Sequence, residues 1–209
     1  MIKLFIFDMD GTLIDSVNQW ADLFERTFEK YQISVPRDHL LSIFGRGAPE
    51  IMRMTVPNGK ARPATEFFLH HQKEHIESFR PFPDAEKTLA EIKEKGYKIA
   101  IATGNNRHLM RYFLEKFGLL KYVDACVCSQ DVKNGKPSPD MLNKVLSQLG
   151  ICPDEAIYIA DSPMDFEAAR KAHIRIGIIT TGVLCEKKAR ELKPDYLLKN
   201  LCELEKLTK

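Results

Sequence analysis

The chain has 209 residues, with 31 Lys and Arg against 29 Asp and Glu, 44% hydrophobic and 29% charged. That length suits a single domain, or one carrying a large insertion, and suffices to bury a core. A net charge of +2 without a basic block gives no electrostatic footprint for nucleic acid or an anionic membrane surface, and no apolar run approaches the roughly 20 residues that cross a bilayer.

The apolar start at 2–7 lacks a cleavage-site pattern and reads as a buried strand over 4–7 rather than a secretory leader. From Ser16 to about Arg80 no strand-like run occurs. Ser16 and Gln19 have capping-box spacing, and Val17, Trp20, Phe24 and Phe28 fall near one face of the helix they open. Further helices are expected over 37–44, 48–54 and 63–78, joined at Gly45-Arg46-Gly47 and Pro57-Asn58-Gly59. Beyond this segment, short apolar runs at 99–102, 125–128, 157–160 and 174–179 read as strands buried on both faces. Helical patterns separate them, such as Leu109, Tyr112 and Phe113, then Leu142, Val145, Leu146 and Leu149. Gly96, Gly118 and Gly150 stand where a helix ends in a left-handed residue, while Ser138-Pro139 and Ser162-Pro163 supply an N-cap followed by proline at the first helical position. Cys126 and Cys128 sit inside an apolar run, and an odd total of five cysteines fits neither a disulfide framework nor a zinc knuckle; reduced, cytosolic thiols are the expectation. The alternation predicts an α/β fold, a doubly wound parallel sheet with helices on both faces. Its core domain would span residues 1–15 and 81–209, with an inserted helical domain over 16–80.

Four polar groups follow four of these strands, and the C-terminal ends of strands are where open α/β sheets bind ligands. They are Asp8-Met9-Asp10-Gly11-Thr12, Thr103-Gly104-Asn105, Lys136-Pro137 and Asp161-Ser162-Pro163-Met164-Asp165. Taken singly each is an ordinary turn, link or capped helix; together they form a site. Asp8, Asp10, Asp161 and Asp165 would bring four negative charges against Lys136, and such a crowd stays ionised only with a cation. Carboxylate oxygens without His or Cys favour Mg²⁺, which binds one or two carboxylates together with a substrate phosphate. Thr103, the Gly104 backbone and Lys136 suit the phosphate oxygens. Asp8 is the candidate nucleophile, forming an aspartyl phosphate. Asp10 would return to the same side through the Gly11 turn and, beside a second anion, could hold a proton, acting first as acid toward the leaving alkoxide and then as base toward water.

With these four motifs in this order, the chain resembles the haloacid dehalogenase superfamily of aspartate-nucleophile phosphohydrolases over nearly its whole length. The resemblance implies a Rossmann-type core, a helical cap of the C1 type at the insertion, and a closing strand and helix at Lys193-Pro194-Asp195-Tyr196 and 201–207. It also implies that Mg²⁺ is held by the Asp8 side chain, the Asp10 backbone carbonyl and Asp161, with Asp165 acting through water or as a support. Dehalogenating and phosphonate-cleaving relatives lack the second aspartate of the first motif; this chain keeps Asp10, which favours phosphate esters. Sugar-phosphate mutases of the β-phosphoglucomutase type usually place a histidine about ten residues beyond that aspartate, where this chain has Trp20.

Specificity is expected in the cap, which covers the leaving group. Arg46, between two glycines, could offer its guanidinium to a substrate carboxylate or second phosphate, as in phosphoglycolate or pyrophosphate; Asn18, Arg53 and Asn105 are weaker candidates. His70, His71 and His75 lack a metalloprotease pattern and a third ligand, so a surface or packing role is expected. The expectation is a Mg²⁺-dependent phosphatase acting on a small, phosphoglycolate-like cytosolic phosphometabolite, with a mutase, a pyrophosphatase and a non-catalytic phospho-acceptor or binding module as rivals. No nucleic-acid or membrane partner is expected. Nothing marks a dimer surface, so a monomer is expected, with a weak homodimer as the alternative.

Overall fold

Leu4-Phe5-Ile6-Phe7 has no polar member, so it can only be a strand covered on both faces, and all four residues are fully buried. In the computed structural model, which describes residues 1–57 and 59–208, this is β1 (Leu4–Phe7). After β2 (Ile14–Asp15) come α1 (Val17–Lys30), α2 (Arg37–Ser42), α3 (Ala48–Thr55), α4 (Ala61–Ile76) and β3 (Arg80–Pro81). The chain continues through α5 (Ala85–Glu94), β4 (Lys98–Thr103), α6 (Arg107–Lys116), β5 (Ala125–Cys128), α7 (Asp140–Leu149), β6 (Ala156–Ala160), α8 (Pro163–Lys171), β7 (Arg175–Ile179), α9 (Glu186–Leu192) and β8 (Tyr196–Leu198).

A six-stranded sheet runs in the order β5-β4-β1-β6-β7-β8, with every adjacent pair parallel. Parallel neighbours need crossovers, and the helices between the strands supply them. Side chains alternate between the two faces. Phe5, Phe7, Ile99, Ile101, Ile157 and Ile159 share one core with Leu89 of α5 and Phe113 of α6. Leu4, Ile6, Ala100, Tyr158 and Ile176 share the other with Val145 of α7, Ala168 of α8 and Ala189 of α9. The fold is therefore a doubly wound α/β Rossmann-like sheet. The chain first moves outward from β1 through β4 to β5, then returns to β6 on the other side; β1 and β6 thus flank the switch point, the crevice where such sheets bind ligands.

Helices α1–α4 form a lobe whose aromatic packing continues into the sheet's core. Phe24 lies 4.3 Å from Phe68, Trp20 stacks on Phe68 at 5.8 Å, Trp20 meets Phe79 edge-on at 4.8 Å, and Phe79 stacks on Phe113 of α6 at 5.5 Å. This ring-to-ring chain fixes the lobe against the sheet through area burial and ring geometry.

Several local expectations hold. The strands sit where the apolar runs predict, and Gly96, Gly118 and Gly150 all adopt positive φ. Others need correction. Ser16 and Gln19 form no capping box: Ser16 lies at the N-cap of α1, but its hydroxyl donates to Asp10 instead. Helix α7 begins one residue later than Ser138-Pro139 suggests, with Pro139 at the N-cap. The closing segment Leu201–Leu207 is a 3₁₀ helix. Strands β2 and β3, two residues each and antiparallel at the base of the lobe, are too short to leave a periodicity. Of the expected joint at Pro57-Asn58-Gly59, Asn58 lies outside the described residues.

The loop between α2 and α3 rests directly on the end of β4. A Cβ at Gly104 would stand 2.5 Å from the Gly45 carbonyl oxygen. Gly104→Ala should therefore push this loop off the sheet and cost about 1–3 kcal/mol by urea denaturation, whereas Gly118→Ala, with open space around its left-handed residue, should cost only about 1 kcal/mol.

Candidate active site

Asp8 immediately follows β1, and its N–H bonds to the Ile159 carbonyl of β6, which places its carboxylate over the switch point. Asp161 follows β6 directly. Its Oδ1 accepts from the Thr12 hydroxyl at 3.3 Å and its Oδ2 from the Val183 N–H at 2.7 Å. The carboxylate is wedged between glycines: a Cβ at Gly182 or Gly11 would lie 1.9 or 2.2 Å from Asp161 Oδ2. Asp165 sits in the first turn of α8, where its N–H bonds to the N-cap hydroxyl of Ser162.

Lys136 is 1% exposed, and its ammonium lies 2.8 Å from Asp8 Oδ1 and 2.7 Å from Asp165 Oδ1. Burial works against its charge, but the attraction of Asp165 and Asp8 outweighs this and holds the ammonium above the ordinary lysine value. Asp165 Oδ1 also accepts from the Tyr158 hydroxyl at 2.7 Å, and its Oδ2 accepts from Ser162 Oγ. Both oxygens of Asp165 are thus engaged by the protein, which suits it to aim Lys136.

Among the described residues, Asp8, Asp161 and Asp165 each bring a carboxylate oxygen within 4.8 Å of the others. The electrostatic consequence is uncompensated negative charge. Burial, helped by Asp165 and Asp10 and opposed by Lys136, pushes the Asp8 carboxyl up to about 7. Burial, with Asp8 and Asp165 adding, drives Asp161 well above the carboxylate range. Hard oxygen donors with one lysine among them and surplus charge fit a divalent cation such as Mg²⁺.

Asp10 points elsewhere. Its Oδ1 accepts from Ser16 Oγ at 2.5 Å and Trp20 Nε1 at 2.7 Å, and its Oδ2 accepts from Asn105 Nδ2 at 2.6 Å. Its side chain stands outside the acidic cluster, so any ligation by this residue falls to its backbone, as the resemblance implies. Thr103 is fully buried and accepts the Asn105 N–H on its hydroxyl oxygen at 3.1 Å, shaping the loop in which Gly104 and Asn105 face the crevice.

A cavity of about 240 Å³ opens above these groups. Its acidic floor is Asp8, Asp10 and Asp161 and its roof comes from α1, α3, α4 and the 45–47 loop. Arg46 lines it, but the guanidinium is ion-paired through Nη1 with Glu50. Asn18 accepts from Arg37 at the surface and Arg53 is exposed. His71 Nδ1 lies 2.8 Å from the Phe67 carbonyl, a packing contact on α4.

Sequence reasoning missed Trp20 as a partner of Asp10, and it ranked Asn105 low. It also left the Thr180-Thr181-Gly182-Val183 turn unread, although a polar turn with glycine after the 174–179 strand was a signal of the same kind as the other strand ends.

Similar proteins place the chain in a family. The phosphoglycolate phosphatase of Aquifex aeolicus is 27% identical, covering 99% of this chain and 96% of its own. The pyrophosphatase PpaX of Halalkalibacterium halodurans is also 27% identical, over 97% and 95%. A hydrolase of Pseudomonas syringae superimposes with a TM-score of 0.88 at 22% identity, covering 98% of this chain and 97% of that one. The sequence model of the haloacid dehalogenase-like hydrolases matches residues 5–179, and the chain belongs to that family.

Proposed function

We propose that this hydrolase is a Mg²⁺-dependent phosphatase that cleaves a small phosphomonoester through an aspartyl phosphate on Asp8. The observation that carries the reading is the division of labour between two aspartates two residues apart. Asp8 is locked to a buried ammonium inside the acidic cluster, while Asp10 is held outside it by neutral donors at the cavity floor. Asp8, Asp161 and the Asp10 backbone would hold the metal, with Asp165 in support. Bound there, Mg²⁺ would neutralise charge on the acidic groups and the transferring phosphoryl oxygens.

The chain's own residues then divide the reaction. The Asp8 carboxylate attacks phosphorus as the bond to the leaving oxygen breaks, and Asp10 gives that oxygen a proton. Asp10, now a carboxylate, takes a proton from the water that attacks the acyl phosphate, which frees Asp8 and inorganic phosphate. Lys136 holds Asp8 in line and offsets charge, and the Gly104–Asn105 turn offers backbone N–H groups to phosphate oxygens. Helices α1–α4 act as the cap over the leaving group.

Trp20 gives Asp10 a donor that cannot titrate. An indole N–H only donates, whereas the Ser16 hydroxyl can reverse and accept when Asp10 is protonated. A fixed donor suits hydrolysis, and it leaves this position without the proton exchange that a mutase histidine offers. The partner in this reading is a small phosphorylated metabolite, met by a monomer in the cytosol; the five cysteines are all unpaired.

Asp8→Asn should keep the fold and the thermal midpoint close to the parent while lowering Mg²⁺-dependent release of phosphate by roughly 10⁴-fold. Appreciable turnover by the Mg²⁺-loaded variant would contradict the aspartyl-phosphate route. For the parent, chelation with EDTA should abolish turnover and Mg²⁺ should restore it. Trp20→Phe keeps the packing on Phe68 and Phe79 but removes one hydrogen bond to the Asp10 carboxyl group. Its kcat should fall about tenfold with KM nearly unchanged, and Trp20→His should recover part of the loss, as expected of a residue that positions Asp10.

A further inference from the structure

The cavity's polar and apolar walls are segregated. Aspartates and the strand-end turns form the floor, while Trp20, Phe24, Phe44, Ile51, Phe68 and Leu69 supply the surface that a leaving group would touch. Among the described residues that line it, Arg46 is the one cationic side chain. That charge is already spoken for. The Arg46 side chain is 16% exposed and is ion-paired with Glu50, one helical turn further on. The pair sits within the lobe.

From this arrangement we infer that the site is built for a phosphomonoester whose leaving alcohol is uncharged and has an apolar body, rather than for pyrophosphate or an ester with a second anionic group. The inference rests on the phosphatase reading above and names its substrate class. A second anion at the roof would lose its hydration against aromatic and aliphatic walls and find no unpaired cation there. An apolar alcohol would gain by burying its surface against the same walls. Neutral polar handles remain. Asn105, Asn106 and Gln72 add neutral polar groups to the lining. The site therefore reads a neutral alcohol by shape and by hydrogen bonds, with the charged recognition confined to the phosphoryl end.

The test compares benzyl phosphate, phosphoglycolate and pyrophosphate with the Mg²⁺-loaded protein. Benzyl phosphate should exceed phosphoglycolate and pyrophosphate at least tenfold in kcat/KM. In calorimetry on the inert Asp8→Asn protein it should also bind about tenfold more tightly than phosphoglycolate. Equal or better turnover of phosphoglycolate or pyrophosphate overturns the inference and leaves the phosphatase reading standing. No phosphate release from any of the three, nor from p-nitrophenyl phosphate, overturns the phosphatase reading and the inference with it. Glu50→Gln probes the cause, because it releases the Arg46 charge into the cavity. The ratio of kcat/KM for phosphoglycolate over benzyl phosphate should then rise about tenfold, and an unchanged ratio would refute the role of the pair.

Discussion

The chemistry of this molecule depends on one buried cation. Lys136 is almost wholly excluded from solvent and lies between Asp8 and Asp165. A lone ammonium at that depth would be strongly disfavoured, and so would either carboxylate without it. Each partner is further tied to the fold: Asp8 by its backbone bond to β6, Asp165 by Tyr158 and the Ser162 cap. The sheet, the start of α8 and the loop after β5 therefore converge on one lysine shared by two carboxylates. One lysine cannot balance the three clustered carboxylates, and this residual negative charge is what fits the proposed divalent cation.

The same logic of charge accounts for the opposite wall. The lobe contributes one guanidinium to the cavity and supplies its own counter-ion four residues later on α3. The floor keeps a net negative charge, which the proposed cation would offset, while the roof is neutral and largely apolar. Relatives named for pyrophosphate and for phosphoglycolate resemble this chain to a similar degree. Overall likeness thus does not separate the two leaving groups, and the side chains of the roof carry the discriminating information.

Much of the core was legible in the sequence, because fully buried parallel strands must be short unbroken apolar runs and each here ends at a polar turn. Leu4–Phe7 and the Asp8 that follows illustrate both signals at once. Contacts that exist only once the chain has turned were not legible. Ser16 at position three before Gln19 looked like a local cap, yet its hydroxyl finds a better acceptor in a charged carboxylate six residues back, a partner that exists only after the chain has turned at Gly11. Arg46 between two glycines looked like a free charge; the i, i+4 geometry that pairs it with Glu50 requires α3 and its preceding turn to form as they do. Gly182 and Val183, which grip Asp161 from 21 and 22 residues away, are backbone contacts and leave no side-chain signature.

Trp20 joins the two halves of the molecule in a way neither motif nor packing alone conveys. Its ring belongs to the aromatic chain that runs from Phe68 in the lobe to Phe79 and Phe113 beside the sheet, and its N–H belongs to Asp10. A displacement of α1 relative to β1 therefore changes aromatic packing and the donor count on Asp10 together. Asn105 and Ser16 reach Asp10 from the sheet side and from the start of the same helix, so the carboxylate is fully solvated by protein groups only when lobe and sheet are in register. In the proposed mechanism, proton transfer from Asp10 would thereby be coupled to the seating of the lobe, since the geometry that encloses an apolar leaving group is the geometry that orients the proposed acid beneath it.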